Sequence, residues 1–240
     1  MKRIALLWPV QAAVLLGLWG CGADLTLPGS PPAGLAVAVV DGDDQTGTVG
    51  EVLPEPVVVE VKTDGGQPLA DRRVAFVPAQ GASAGRFDPD TAVTDAQGRA
   101  LTSWYLGTAA GLYTAEVRLV AGGDSVLPAA PLQATAGAGA PDTLRAVGPS
   151  VQGGRRGQAL DEPLVVIAVD RFGNPVGGVE VVWDVPNGNG DVSARTTPTG
   201  SDGTASVVWT LGNRVGVQRV TASVNLAQGS PVTFVATVLF

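Results

Sequence analysis

The sequence predicts an all-β protein made of two tandem β-sandwiches, and three observations carry that expectation. Short valine-rich runs alternate in character from one residue to the next. Gly and Pro, 33 and 18 of the 240 residues, punctuate those runs, and one unit of the chain occurs twice. β-Branched residues suit a pleated surface, and Gly, Pro, Asn and Asp supply the turns between strands. Beyond residue 25 no segment keeps apolar residues at helical spacing for three turns without a Gly or Pro, so long helices are not expected.

The internal repeat sets the domain count without any appeal to propensity. Glu55-Pro56-Val57-Val58-Val59-Glu60-Val61 aligns with Glu162-Pro163-Leu164-Val165-Val166-Ile167-Ala168. The match continues without a gap through Gly66-Gln67-Pro68-Leu69 against Gly173-Asn174-Pro175-Val176, and on to Phe76 against Trp183. Further on, Gly98 to Gly107 aligns with Gly203 to Gly212, carrying Trp104 onto Trp209. The following strand aligns by identity as Thr114-Ala115-Glu116-Val117 against Thr221-Ala222-Ser223-Val224, and Leu132-Gln133-Ala134-Thr135 aligns with Phe234-Val235-Ala236-Thr237. The expected units are residues 35–137 and 141–240, meeting near Gly137-Ala138-Gly139-Ala140-Pro141.

Period-2 alternation assigns faces within each unit. Val57, Val59 and Val61 share the core side, opposite Val58, Glu60 and Lys62. Ala100, Thr102, Trp104 and Leu106 form a second inward set, repeated as Ala205, Val207, Trp209 and Leu211. With a single cysteine in the chain, no disulfide can join the two sheets of a sandwich, so aromatic side chains are expected to fill that volume. Phe76 with Trp104, and Trp183 with Trp209, are the candidates; the alternative is that one Trp of each unit lies at a loop edge.

Composition narrows the function. Lys and Arg number 15 against 22 Asp and Glu, a net charge of −7 with the acids scattered, which disfavours nucleic acid as a partner. The chain has no His, the commonest general base and metal ligand, and no Ser can be paired with one. An enzyme is therefore not expected, nor a cofactor.

Residues 1–20 have the three parts of an export signal: basic Lys2 and Arg3, an apolar run from Ile4 to Leu18, and small Gly20 before a cleavage point. The run is short for a helix crossing a bilayer core of ~30 Å, which leaves a permanent transmembrane anchor as the second reading. Leu18-Trp19-Gly20-Cys21 resembles the lipobox of bacterial lipoproteins, although that pattern favours a small residue where Trp19 stands. The resemblance implies cleavage before Cys21, lipid on its thiol and acylation of the new amino terminus. Two or three acyl chains anchor a protein stably where one does not. Gly22 follows the cysteine, with no Asp there to resemble an inner-membrane retention signal, so in a Gram-negative cell the outer membrane is the expected destination. Residues 21–34, Pro- and Gly-rich and without periodicity, read as the lipidated cysteine and a tether. Residues 22–34 extend to at most ~43 Å at ~3.3 Å per residue.

The order of motifs also resembles a known family. Gly42 to Gly50, Pro54-Glu55-Pro56-Val57, a Gly-Gln-Pro turn, Thr94-Asp95-Ala96-Gln97-Gly98-Arg99-Ala100, then Trp104 and Leu106-Gly107, look like the bacterial Ig-like group 1 (Big-1) domain of invasin and intimin stalks. The second copy, with Asp170-Arg171-Phe172-Gly173-Asn174-Pro175 and Trp209-Thr210-Leu211-Gly212, is at least as similar. The first copy departs at Gly65-Gly66-Gln67, where the family more often has a residue followed by Gly-Asn before the Pro. The resemblance implies immunoglobulin-like sandwiches.

Three further features are candidate sites. Asp41, Asp43 and Asp44 form the densest acidic cluster, which reads as a solvated loop, while close oxygen ligands of this kind also suit calcium. Gly153-Gly154-Arg155-Arg156-Gly157 reads as a solvated loop, with a carboxylate or phosphate as the alternative occupant. Val165, Ile167 and Val169 stand where the first copy has Val58, Glu60 and Lys62, an apolar outer face that is either an interaction surface or covered by the domain's own loops.

Two functional readings follow. The first is a lipid-anchored envelope protein, attached to the membrane through Cys21, whose sandwiches act as a stalk or as an adhesive module for a protein or glycan ligand. The alternative is a periplasm-facing lipoprotein subunit of an envelope complex, docking through Val165, Ile167 and Val169.

Overall fold

In the first copy the apolar alternation produces strands with one buried edge, and in the computed structural model these assemble into two sheets. The structure describes residues 34–79, 85–120, 126–225 and 228–240. Residues 1–20 and Cys21 lie outside the described residues.

The first sandwich contains β1 (Leu35–Asp41), β2 (Gln45–Thr48), β3 (Val57–Thr63), β4 (Arg73–Pro78), β5 (Arg86–Asp88), β6 (Thr91–Val93), β7 (Arg99–Tyr105), β8 (Gly111–Val120) and β9 (Val126–Gly137). One sheet runs β1-β3-β7-β5 and the other β2-β9-β8-β4-β6. The chain changes sheets between β1 and β2: β1 is antiparallel to β3, whereas β2 is parallel to β9.

The second sandwich repeats this with β10 (Pro141–Val147), β11 (Val151–Arg155), β12 (Leu164–Asp170), β13 (Glu180–Asp184), β14 (Asp191–Val192), β15 (Thr196–Pro198), β16 (Thr204–Val207), β17 (Trp209–Thr210), β18 (Gly216–Ser223) and β19 (Val232–Leu239). Its sheets are β10-β12-β16, the β14-β17 pair, and β11-β19-β18-β13-β15. All regular structure among the described residues is strand and turn.

Each sandwich has its own core. Val57, Val59 and Val61 are fully buried on the expected side of β3, as are Ala100, Thr102, Trp104 and Leu106, with Ala205, Val207, Trp209 and Leu211 in the second copy. Trp104, Trp183 and Trp209 are all in the interior, so the loop-edge alternative does not hold. The partners of these rings differ from expectation. Phe87 lies between Phe76 and Trp104, with ring centroids 5.5 and 4.9 Å away, and Trp183 packs on Phe234 at 6.1 Å. Trp183 Nε1 donates to Thr197 Oγ1 and Trp209 Nε1 to the Asn189 carbonyl, both at 2.8 Å.

The ladder corrects one part of the repeat alignment. Phe76 is paired with Val117, while Trp183, its counterpart, is paired with Ala222. Val117 thus corresponds to Ala222, two residues before the Val224 that matching identities selects. A slip of two leaves every side chain on its proper face, so alternation alone cannot detect it. The last strand agrees with the sequence: Gln45 pairs with Ala134 and Gln152 with Ala236.

Candidate functional site: the junction and the far tip

The Asp170–Pro175 turn joins the two sandwiches. It leaves β12 as a tight loop in which Asp170 N–H donates to the Asn174 carbonyl (2.9 Å) and Gly173 N–H to the Asp170 carbonyl (3.0 Å). The Asp170 carboxylate, 2% exposed, accepts the N–H groups of Phe172 (2.8 Å) and Asn174 (2.9 Å) and, from the linker, that of Gly139 (2.9 Å). Burial by itself raises the pKa of this carboxyl; the hydrogen bonds from the Asn174 side chain and from those three amides outweigh it, and the net shift is downward.

Asn174 carries the contact across. Its Nδ2 donates to Asp170 Oδ2 (2.9 Å) and to the Thr108 carbonyl of the first sandwich (2.8 Å), and its Oδ1 accepts the Ala110 N–H (2.8 Å). One amide thus uses both donors and an acceptor, a geometry only a side-chain amide provides. Beside it Phe172 lies on Gly50, a residue with φ of 74°. A Cβ there would stand 3.0 Å from Phe172 Cζ, so the ring's approach depends on glycine. The Arg171 guanidinium is 4.6 Å above the Phe172 ring, and Arg171 and Phe172 share a cleft with Thr48, Val49 and Glu51.

The loop that receives Asn174 is itself held from within, because Tyr113 Oη donates to the Ala109 carbonyl at 2.8 Å. Gln218 holds the corresponding loop at the far tip of the second sandwich. This buried amide accepts the Gly212 N–H (2.8 Å) and donates to the carbonyls of Gly212 (3.1 Å) and Arg214 (2.7 Å). Arg155, Arg156 and Arg214 are exposed at that tip.

The remaining candidates from the sequence fare differently. Val165 and Ile167 are half-buried on β12, but Val169 is only 8% exposed, bridged to Pro175 of the junction turn. The apolar outer face is therefore narrower than the three residues suggested. Asp43 Oδ1 accepts the Gln133 N–H at 2.8 Å and Asp44 Oδ1 accepts from the Gln133 side chain at 2.6 Å, so two members of the acidic cluster tie the β1–β2 loop to β9. Among the described residues no group of three His, Cys, Asp or Glu is placed to hold a metal ion. A recess of about 640 Å³ on the first sandwich is lined by Asp43, Thr114, Glu116, Arg118 and Gln133, and Glu116 there is paired with Arg118 at 2.8 Å.

In the sequence Asp170, Phe172 and Asn174 stand only as parts of a turn motif. The signal for their role is the difference between the copies: the first has Thr63, Gly65 and Gln67 at those positions.

Fold and junction together define a protein of two immunoglobulin-like sandwiches joined end to end. Residues 161–237, within the second sandwich, match the bacterial Ig-like domain (group 1). No curated protein matches the chain. Solved structures similar to it include Yersinia pseudotuberculosis InvD (15% identity, 85% of this chain and 57% of that one, TM-score 0.49). The Escherichia coli adhesin FdeC is similar at 20% identity over 86% of this chain and 64% of its own, with a TM-score of 0.48. The Yersinia pseudotuberculosis adhesin InvE is similar at 17% identity over 88% and 62%, with a TM-score of 0.41. The chain thus spans less than two thirds of the length of each of these structures.

Proposed function

We propose that the protein is a lipid-anchored component of the bacterial cell envelope in which two immunoglobulin-like sandwiches form a stiff, non-enzymatic stalk or adhesive module. The observation that carries this reading is the junction: Asn174, Asp170 and Phe172 together connect sandwich, linker and sandwich. A stalk needs that connection, because a free linker would let the second sandwich swing. The first sandwich, repeating the turns and buried Trp of the second, is read as a domain of the same family.

Anchoring is supported by residues 1–21, with Cys21 as the lipid-bearing residue and residues 22–34 as tether. Cys21→Ser is expected to abolish incorporation of a fatty-acid probe and to release the protein from membranes; undiminished labelling refutes the anchor. Rigidity is tested separately, by the distance distribution between spin labels on the two sandwiches. It should be narrow in the native chain and broad in the Phe172→Ala/Asn174→Ala variant, and a broad distribution in both refutes the stalk.

The envelope-subunit reading is favoured by a different observation. Val165 and Ile167 stay half-buried on an outer face whose β10 edge ends in the exposed Val147. Protease added to intact cells separates the two: cleavage supports outward display, and full protection supports a subunit facing the periplasm.

A further inference from the structure

The far tip of the second sandwich is the counterpart of the surface that Asn174 and Phe172 fill on the first. Gly111 pairs with Ala136 as Gly216 pairs with Val238, so the Thr108–Ala110 loop corresponds to Asn213–Val215. Gly50, with φ of 74°, corresponds to Gly157, with φ of 71°. The same turn precedes each: Glu51 N–H donates to the Thr48 carbonyl, and Gln158 N–H to that of Arg155, both at 3.2 Å.

A second copy of the plug also exists. Thr63–Pro68 of the first sandwich repeats the backbone pattern of Asp170–Pro175. Thr63 N–H donates to the Gln67 carbonyl (2.9 Å), Gly66 N–H to the Thr63 carbonyl (2.8 Å), and Gln67 N–H to Thr63 Oγ1 (3.2 Å) where Asn174 uses Asp170. Asp64 to Pro68 of this turn are exposed, and Thr63 is half-buried.

The residues that differ between the two pairs differ in a matched way. In the plug, Asp64 replaces Arg171 and Gln67 keeps the side-chain amide of Asn174. At the receiving tip, Arg155 replaces Thr48, Arg156 replaces Val49, Arg214 replaces Ala109, and Gln158 replaces Glu51. The plug residue changes from basic to acidic, while the tip loses one acid and gains three Arg. Among the described residues Asp64, Arg155, Arg156 and Arg214 make no ion pair within the chain. Leu239, 60% exposed and paired with Arg155, borders the same tip and offers apolar surface where the Thr63–Pro68 plug has Gly65 in place of Phe172.

We infer that this tip is a docking site for the Thr63–Pro68 turn of a second copy of the chain. Asp64 enters among Arg155, Arg156 and Arg214, and the Gln67 amide takes the Asn213 carbonyl and Val215 N–H as Asn174 takes those of Thr108 and Ala110. The contact is head to tail, so each copy that joins presents a new tip, and the array has no built-in stop. The inference does not depend on the anchor.

Sedimentation velocity of the full-length protein in neutral detergent tests this. The native chain is expected to form species larger than dimers as concentration rises, with association weakened at least about tenfold in high salt. Asp64→Arg alone, and Arg155→Glu/Arg214→Glu alone, are each expected to weaken association by at least about tenfold, since each sets like charges together. An equimolar mixture of the two variants restores it, because each then offers the plug the other's tip accepts. Circular dichroism and thermal melting of each variant confirm that these exposed substitutions leave the sandwiches folded. A native chain that stays monomeric, a closed dimer indifferent to both charge reversals, or a mixture no better than its components overturns the inference.

Discussion

Tyr113 and Gln218 occupy the same position in the two sandwiches and hold the same backbone oxygen, that of the residue four places earlier, at 2.8 Å from the phenol and 2.7 Å from the amide. A phenol reaching back to an upstream carbonyl is the corner device of immunoglobulin-like folds. The second sandwich achieves it with different chemistry. Tyr113→Phe removes one hydrogen bond while keeping the ring, which is expected to cost about 0.5–1.5 kcal/mol in urea unfolding.

Tyr113 also sets an alkaline limit. Burial raises its pKa above the ordinary 10.0, against the lowering effect of the Ala109 and Gly107 backbone contacts. The folded state therefore keeps the phenolic proton where the unfolded chain loses it. Its contribution is complete below pH ~10 and lost as pH rises toward the folded value. Melting temperature followed from pH 9 to 11 should fall less steeply in Tyr113→Phe than in the native chain.

Acid acts on the junction through Asp170. Its folded pKa lies below the ordinary 3.8, so its contribution is complete above that value and lost as pH falls through the folded one. Narrow spin-label distances between the sandwiches should broaden below about pH 4, before either core melts. In Asp170→Asn the distribution should already be broader at neutral pH and insensitive to acid over that range.

Asn174→Ala strips three hydrogen bonds from the join and leaves the Thr108 carbonyl and Ala110 N–H without their partner. The expected cost is about 1–3 kcal/mol. It should appear in calorimetry as separation of the two sandwiches into distinct transitions, with the fold of each retained.

Phe87→Ala opens a cavity between Phe76 and Trp104 in the first core. Loss of about 3–5 kcal/mol is expected, confined to the first sandwich. Urea unfolding followed by Trp fluorescence should show an early transition for Trp104 and an unchanged one for Trp183 and Trp209.

Much of the fold was readable because its signals are periodic. Val57, Val59 and Val61 alternate with residues of the outer face, and the duplicated unit supplied the number of sandwiches. Phe87 carries no periodic signal because β5 is only three residues long, too short to show a period. Val117 and Ala222 were mismatched by two positions because period-2 patterns are blind to even shifts. Val169 reads as outward from alternation, yet the Pro175 turn folds over it.

The linear chain by itself determined the strand-and-turn character, the twofold internal repeat, the inward set of each strand and the absence of His. The strand-and-turn character and the inward sets follow from residue chemistry at spacings of one to four, where backbone geometry leaves few choices; the repeat and the absence of His are read from the sequence directly. Tertiary structure alone decided the junction, because Asn174 meets Ala110 and Thr108 across 64 and 66 residues of chain. Contacts at that separation depend on how two finished sandwiches abut, and no local pattern of side chains encodes that.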